Sequence, residues 1–216
     1  WGAGKESWGI RYQKIYGNLQ EETIWNDLDE FLKRTWKKKD GTAMHLLAVC
    51  MDSGGHYPDQ VLRFCAARWA RRIFAIKGRG GAAVPFISNP TKNNRVKAPQ
   101  FTLGVDTGKV LLYERLNVKE RGPNYCHFPI NEDRGYDEKY FQGLTAEKMV
   151  LRYKKGRATF SWELKEGIKR NEPLDIRNYA GAALEIANPP LTPEEAEQKV
   201  AAQAKPRGRR QLSGGI

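Results

Sequence analysis

Apolar residues in this chain fall into two patterns. Some recur every three or four positions, and others form short unbroken runs. The recurring pattern predicts helices. Glu21–Trp36 places Ile24, Leu28, Phe31 and Leu32 on one face. Pro58–Ala70 opens on a proline suited to a first turn and turns Val61, Leu62, Cys65 and Trp69 inward. Asn171–Asn188 does the same with Leu174, Ala180, Ala183, Leu184 and Ala187. Thr107–Leu116 follows Asp106, which occupies the N-cap position, and Thr145–Leu151 also reads as helical. The unbroken runs predict strands at Ser7–Tyr16, Ala43–Asp52, Arg72–Lys77, Phe101–Val105 and Ala158–Leu164, with Tyr125–Pro129 extended. Ala43–Met51 is apolar apart from His45, which predicts a central strand covered on both faces. Strands alternating with helices predict an α/β sheet flanked by helices. Gly78–Pro99 is too long for a simple connector and reads as a functional loop. The division expected is a domain over 1–188 and a polar, basic tail over 189–216. In that tail Thr192–Glu195 forms a capping start for a short helix, and the segment from Lys205 is too polar to fold alone.

Charge adds a partner to this picture. The chain has 216 residues, 40% of them hydrophobic, enough for a real core, yet its net charge is +12. Such a surplus favours a polyanion. Its placement is uneven: between Gln60 and Asp106 the only acid is Asp106 itself. The same window carries Arg63, Arg68, Arg71, Arg72, Lys77, Arg79, Lys92, Arg95 and Lys97. A solvated basic face is the plain alternative to a nucleic-acid surface. The three cysteines have no paired spacing and make neither a disulfide framework nor a zinc motif, which suits a reducing compartment. No run is long and apolar enough to span a membrane, so no membrane partner is expected. Gly104–Lys109 resembles a phosphate loop, but it is one residue short and Val110 stands where Ser or Thr is needed.

Two acidic places need more explanation. Asp52 ends the most apolar run and is followed by Ser53-Gly54-Gly55-His56. Carboxylates at strand ends sit where α/β sites are usually built, and the glycines leave the approach open. Glu172 and Asp175 lie at the start of the last long helix. A helix dipole accounts for acids there, and capping accounts for an Asp after a strand. Metal-assisted phosphate chemistry also needs carboxylates converging from different elements with positions left for water. Asp52, Glu172 and Asp175 meet that requirement. His56 reads either as a metal or phosphate contact or as a solvated loop residue. Asp106 reads either as a helix cap or as a further ligand.

In order along the chain, WGAGKESW, MDSGGH, FAIKG, LGVDTGK, HFP, LTAEK, RNEPLD and YAGAALEI resemble the nuclease domain of tailed-phage terminase large subunits of the lambda-like GpA type. The resemblance runs from Trp1 to about Ile186. It implies an RNase H-like mixed sheet flanked by helices, and cutting of concatemeric double-stranded DNA with two Mg²⁺ or Mn²⁺ ions. Asp52 then matches the family's acid at a strand end, and Glu172 the acid opening the last helix, with Asp175 one turn on. These three would ligate metal. Lys77 and Lys109 would lie near the scissile phosphate. Arg71, Arg72, Arg79, Lys92, Arg95 and Lys97 would follow the DNA backbone. The resemblance further implies the small terminase subunit and the portal as partners, the host cytoplasm as the place of action, and an ATPase encoded outside these residues. It also places the family's first strand, with its first catalytic Asp, upstream of Trp1, so this stretch alone is expected to bind metal poorly and cut weakly. The other readings are a different RNase H-like enzyme such as a resolvase, or a non-catalytic basic DNA-binding module.

Overall fold

A computed structural model describes residues 1–154 and 156–204. In chain order the elements are β1 (Ser7–Trp8), α1 (Glu22–Leu32), β2 (Trp36–Lys37), β3 (Ala43–Met44), β4 (Val49–Asp52), α2 (Pro58–Ala67), β5 (Ile73–Arg79), β6 (Thr91–Lys92), β7 (Pro99–Gly104), α3 (Val105–Leu116), β8 (Cys126–His127), α4 (Glu138–Leu144), β9 (Glu147–Lys154), β10 (Arg157–Leu164), α5 (Glu172–Ala187) and α6 (Pro193–Ala204). The main sheet is mixed, in the order β4-β5-β7-β6. β4, β5 and β7 run parallel, and β6 returns antiparallel to β7. This is a mixed α/β fold.

Strand alternation explains the layering. In β5, Ile73 and Ala75 join Leu62, Phe64 and Cys65 of α2, with Leu28 and Leu32 of α1 packed behind. Phe74 and Ile76 face the other way, onto Phe101, Leu103 and Ala182 of α5. Both faces of β5 are therefore covered, as its continuous apolar run requires. A third cluster joins Leu112 of α3, Tyr140 and Leu144 of α4, and Leu174 of α5. Helices α3 and α5 approach so closely that a Cβ on Gly108 would come within 2.1 Å of Asn178 Oδ1. Any larger residue at Gly108 would force the Asn178 and Phe86 side chains to shift.

Several expected elements differ. Ala43–Asp52 is not one strand. β3 pairs with β2, residues 45–48 leave the sheet, and only Val49–Asp52 pairs with Ile73–Ile76. The reason is the partner: β5 begins at Ile73, directly after the left-handed Arg72, so nothing lies opposite residues 45–48. β4 is covered on both faces but is an edge strand among the described residues, not a central one. Helix α1 ends at Leu32 because Trp36–Lys37 is taken up in that small hairpin. Of Ser7–Tyr16 only Ser7–Trp8 pairs, with Cys126–His127. Thr145–Leu151 is not helical: Glu147–Lys154 is strand, in register with Arg157–Leu164. Asp106 lies in the first turn of α3, and Gly104 is the N-cap. The helix expected from Thr192 is present as α6, with Glu195 N–H donating to Thr192 Oγ1 at 3.2 Å. The Lys205–Ile216 segment lies outside the described residues. No helix among the described residues is long and apolar enough to cross a membrane.

One buried charge holds α1 to the start of β5. Asp29 is buried and accepts hydrogen bonds from Arg68 Nε at 2.7 Å and Arg71 Nη1 at 2.6 Å, with Lys33 Nζ at 3.1 Å. The Arg68 hydrogen bond is the main cause that holds its carboxyl well below the usual carboxylate range, against burial. Its stabilisation is present above the unfolded-state carboxylate pKa and is lost as pH falls towards the lower folded value. Asp29→Asn is expected to cost about 2–4 kcal/mol at pH 7, since it leaves partly buried arginines uncompensated. Urea unfolding checks this, and the gap to the native protein should narrow below pH 4.

Candidate active site at the Asp52–Asp175 rim

Alternation decides where Asp52 faces. Val49 and Met51 pack towards α1 and α2, whereas Cys50 packs towards α5. Asp52 follows Cys50 by two and so lies on the α5 side, at the C-terminal end of the parallel strands. Its Oδ1 accepts the Gly54 N–H at 2.8 Å in a local turn; it does not cap α2, whose N-cap is Tyr57. Its Oδ2 accepts from Tyr179 Oη at 3.4 Å. Tyr179 sits four residues after Asp175 on α5, so the two share a helix face. The strand-end acid and the helix-start acid, 123 positions apart, thus meet across one tyrosine.

Electrostatics at this rim are strained. Burial raises the Asp175 carboxyl to about 6; Lys109 opposes this, while Glu147, Asp52 and Glu172 add to it. Burial and the same two aspartates also push the Tyr179 phenol up, which keeps it a hydrogen-bond donor. Burial and the neighbouring carboxylates Asp52, Glu147 and Glu172 together disfavour a charged Asp175, with Lys109 as the cation that opposes them. A further cation would relieve this.

Lys109 is not on an open surface. It is 8% exposed, and its ammonium donates to both oxygens of Glu147, itself 5% exposed, at 2.8 and 2.7 Å. It also stands 4.0 Å from Asp175 Oδ1. Asn171 Nδ2 donates to Glu147 Oε1 at 2.6 Å, and Tyr113 Oη donates to the Glu147 carbonyl at 2.6 Å. So Lys109 belongs to a buried network behind Asp175 and is not placed for a solvent-facing backbone contact.

The other expected site residues are dispersed. Glu172 opens α5 but turns outwards, beside Arg170 at 4.0 Å, and lines a groove with Tyr12. Lys77 is exposed and follows Ile76, the partner of Asp52, but alternation puts it on the α2 side of the sheet. Asp106 Oδ2 accepts the Gly81 N–H at 2.7 Å and so ties down the loop after β5. His56 is exposed after the two glycines. In the basic window, Arg68 and Arg71 are taken up by Asp29, and Arg95 pairs with Asp59 at 3.0 Å. Arg72, Lys77, Arg79, Lys92 and Lys97 remain exposed. Among the described residues no three His, Cys, Asp or Glu side chains group closely enough to hold a metal ion.

Residues 1–196 match the family described as terminase large subunit gpA, endonuclease domain. The chain belongs to this family. It is similar to the terminase large subunit of Escherichia phage lambda, 35% identical over 191 residues, and to that of Enterobacteria phage P21, 29% identical over 192 residues. Each match covers 87% of this chain and 29% of the relative, so the chain spans less than a third of those proteins. No solved structure matches.

Within this terminase endonuclease domain, sequence reasoning missed Glu147 and Tyr179. Tyr179 was legible as the residue one helical turn beyond Asp175. Glu147 sits in a short apolar run, and only its pairing with Lys109 explains why an acid is buried there.

Proposed function

We propose that this chain is the DNA-cutting part of a phage terminase large subunit. It is an RNase H-like, divalent-metal endonuclease acting on concatemeric double-stranded DNA in the host cytoplasm, with the small terminase subunit and the portal as partners. The α6 segment and the tail beyond it are the proposed docking part. The observation that supports this best is the meeting of Asp52 and Asp175 around Tyr179, at the C-terminal end of the parallel strands of a mixed sheet with α5 laid across its face. Family membership favours this reading over a resolvase or a non-catalytic DNA-binding module.

The donor chemistry fits a hard divalent cation, Mg²⁺ or Mn²⁺. Asp52 and Asp175 offer carboxylate oxygens from two different elements, and exposed Asp52 leaves room beside half-buried Asp175 for water and phosphate oxygens. When bound, such ions supply an acidified water and offset charge on the phosphate. The residues of the chain then divide the remaining work. Gly54 N–H and Tyr179 Oη fix the orientation of Asp52. The buried Lys109–Glu147 pair holds the ground behind Asp175. Glu172 brings a further carboxylate to the same first turn, on the groove side. The exposed cations Arg72, Lys77, Arg79, Lys92 and Lys97 bind the DNA backbone without reading sequence, so affinity falls steeply with salt. A two-ion site needs a carboxylate beyond these. β4 is an edge strand among the described residues, so its free edge, which includes Asp52, is open to pairing with a further strand.

The deciding experiment compares the native terminase large subunit with Asp52→Asn, reading plasmid cleavage in Mn²⁺ and the Mn²⁺-dependent rise in melting temperature. Asp52→Asn is expected to lose both. Cleavage by that variant at the native rate would overturn the assignment. The 216-residue chain alone is expected to show only weak metal stabilisation; robust cutting by it would mean that these carboxylates suffice.

A further inference from the structure

Beside Glu172 lies a groove of about 810 Å³ whose other lining residues no sequence signal marked. Three separate segments build it: residues 12–16, helix α4, and residues 167–170 leading into α5. Apolar groups line part of it, where Pro173 packs on Gly143 beside Tyr140, Ile15, Ile168 and Ile176. Its walls carry Lys14, Lys139, Lys169 and Arg170, all exposed, against Glu172 as the one lining acid, 4.0 Å from Arg170, and Asp137 nearby. Tyr12 and Tyr16 stand among these cations. Tyr16 is 83% exposed, with no packing reason for an aromatic ring to sit there, and Lys14 Nζ lies 5.8 Å above the Tyr12 ring.

Four cations around an apolar, tyrosine-bearing trough make a surface for a flexible polyanion that also has flat apolar faces. A nucleic-acid strand meets both demands, because phosphates pair with the cations and bases stack on tyrosine. An acidic peptide meets only the first. We propose that this groove binds a DNA strand as it passes Glu172, giving the chain a second DNA surface distinct from the Arg72–Lys97 face. That the polymer is DNA rests on the nuclease reading; that the groove takes a polyanion rests on its own charge.

The test is binding in EDTA, where no cutting occurs, so its result is separate from the cleavage result for Asp52→Asn. Labelled single-stranded and duplex oligonucleotides are titrated against the 216-residue chain and two variants. One combines Lys14→Ala, Lys139→Ala, Lys169→Ala and Arg170→Ala. The other, of equal net charge, combines Lys37→Ala, Lys38→Ala, Lys39→Ala and Lys119→Ala. All eight side chains are exposed, and circular dichroism confirms that both variants fold. The groove variant is expected to bind single strands about tenfold or more weakly and to lose about three to four from the log–log salt slope. The control is expected to change less than about threefold. Photocrosslinking of a bromodeoxyuridine-substituted strand is expected to label the Tyr12–Tyr16 peptide. Equal losses in both variants, no binding by the native chain, crosslinks confined to the Arg72–Lys97 face, or polyglutamate competing as well as DNA would each overturn the proposal.

Discussion

Asp175→Asn is expected to abolish DNA cleavage and, at the same time, to make the protein more stable at pH 7.5. The two effects have one cause. Burial, with Glu147, Asp52 and Glu172 nearby, raises the Asp175 carboxyl from its ordinary 3.8 to about 6. Folding therefore favours the protonated form. Below pH 3.8 the group is protonated in both states and costs nothing. As pH rises towards 6 the unfolded chain ionises first, and above 6 the native protein carries the full penalty. A shift of this size on a group that is partly screened by solvent is worth about 1–2 kcal/mol. Asparagine removes the penalty, so the variant should gain that much at pH 7.5 and almost nothing at pH 3, read by urea unfolding at both values. The loss of activity should be about 10³-fold or more, as follows from removing several kcal/mol of transition-state support. In the native terminase large subunit, Mn²⁺ should raise the melting temperature and leave that of Asp175→Asn unmoved. A carboxylate kept only as a helix cap would behave oppositely: its loss would destabilise at pH 7.5 and leave cutting intact.

Such a residue is one the sequence could mark but not explain. Asp175 and Asp52 were legible because each stood where a core residue or a turn was sufficient and an acid was surplus. Strand alternation from Cys50 was enough to send Asp52 to the α5 face. The distance between them depends on α5 lying across β4, which no local pattern encodes. The same limit governs the fold. β5 and α5 were readable to within two residues, because each carries its own burial pattern end to end. β9 was not, because Thr145–Leu151 has no clear period, and its conformation follows from eight cross-strand partners in Arg157–Leu164. The turn at Gly156, with φ +75°, is the local signal that joins them. The Ala43–Asp52 run failed as one strand for a related reason: its apolar character was real, but a strand extends only as far as its neighbour does. The basic window between Gln60 and Asp106 was read as one face. Asp29 and Asp59, outside and at the border of that window, neutralise part of it, while the groove cations come from three segments too sparse to notice.

Lys109→Met carries the largest expected loss of stability. Lys109 and Glu147 have side chains only 11% and 6% exposed, and their contact at 2.7 Å is the main compensation for both charges. Removing the ammonium leaves a buried carboxylate with the Asn171 amide as its remaining side-chain donor. Breaking such a pair from one side costs about 3–5 kcal/mol. For a domain of this size that corresponds to a fall of roughly 10 °C in melting temperature. The double variant Lys109→Met with Glu147→Leu should recover most of this, because replacing both partners removes the desolvation penalty with the attraction. A loss under about 1 kcal/mol in Lys109→Met would refute the buried-pair account. Activity should part company with stability in the double variant. Its folded state is restored, but Asp175 has lost the cation 4.0 Å from its Oδ1 and the wall that fixes α5 against β9. Cleavage should therefore stay low while unfolding returns to near-native values. If cleavage recovers together with stability, the pair is a structural support alone, and the positioning of Asp175 rests on Tyr179 and Asp52.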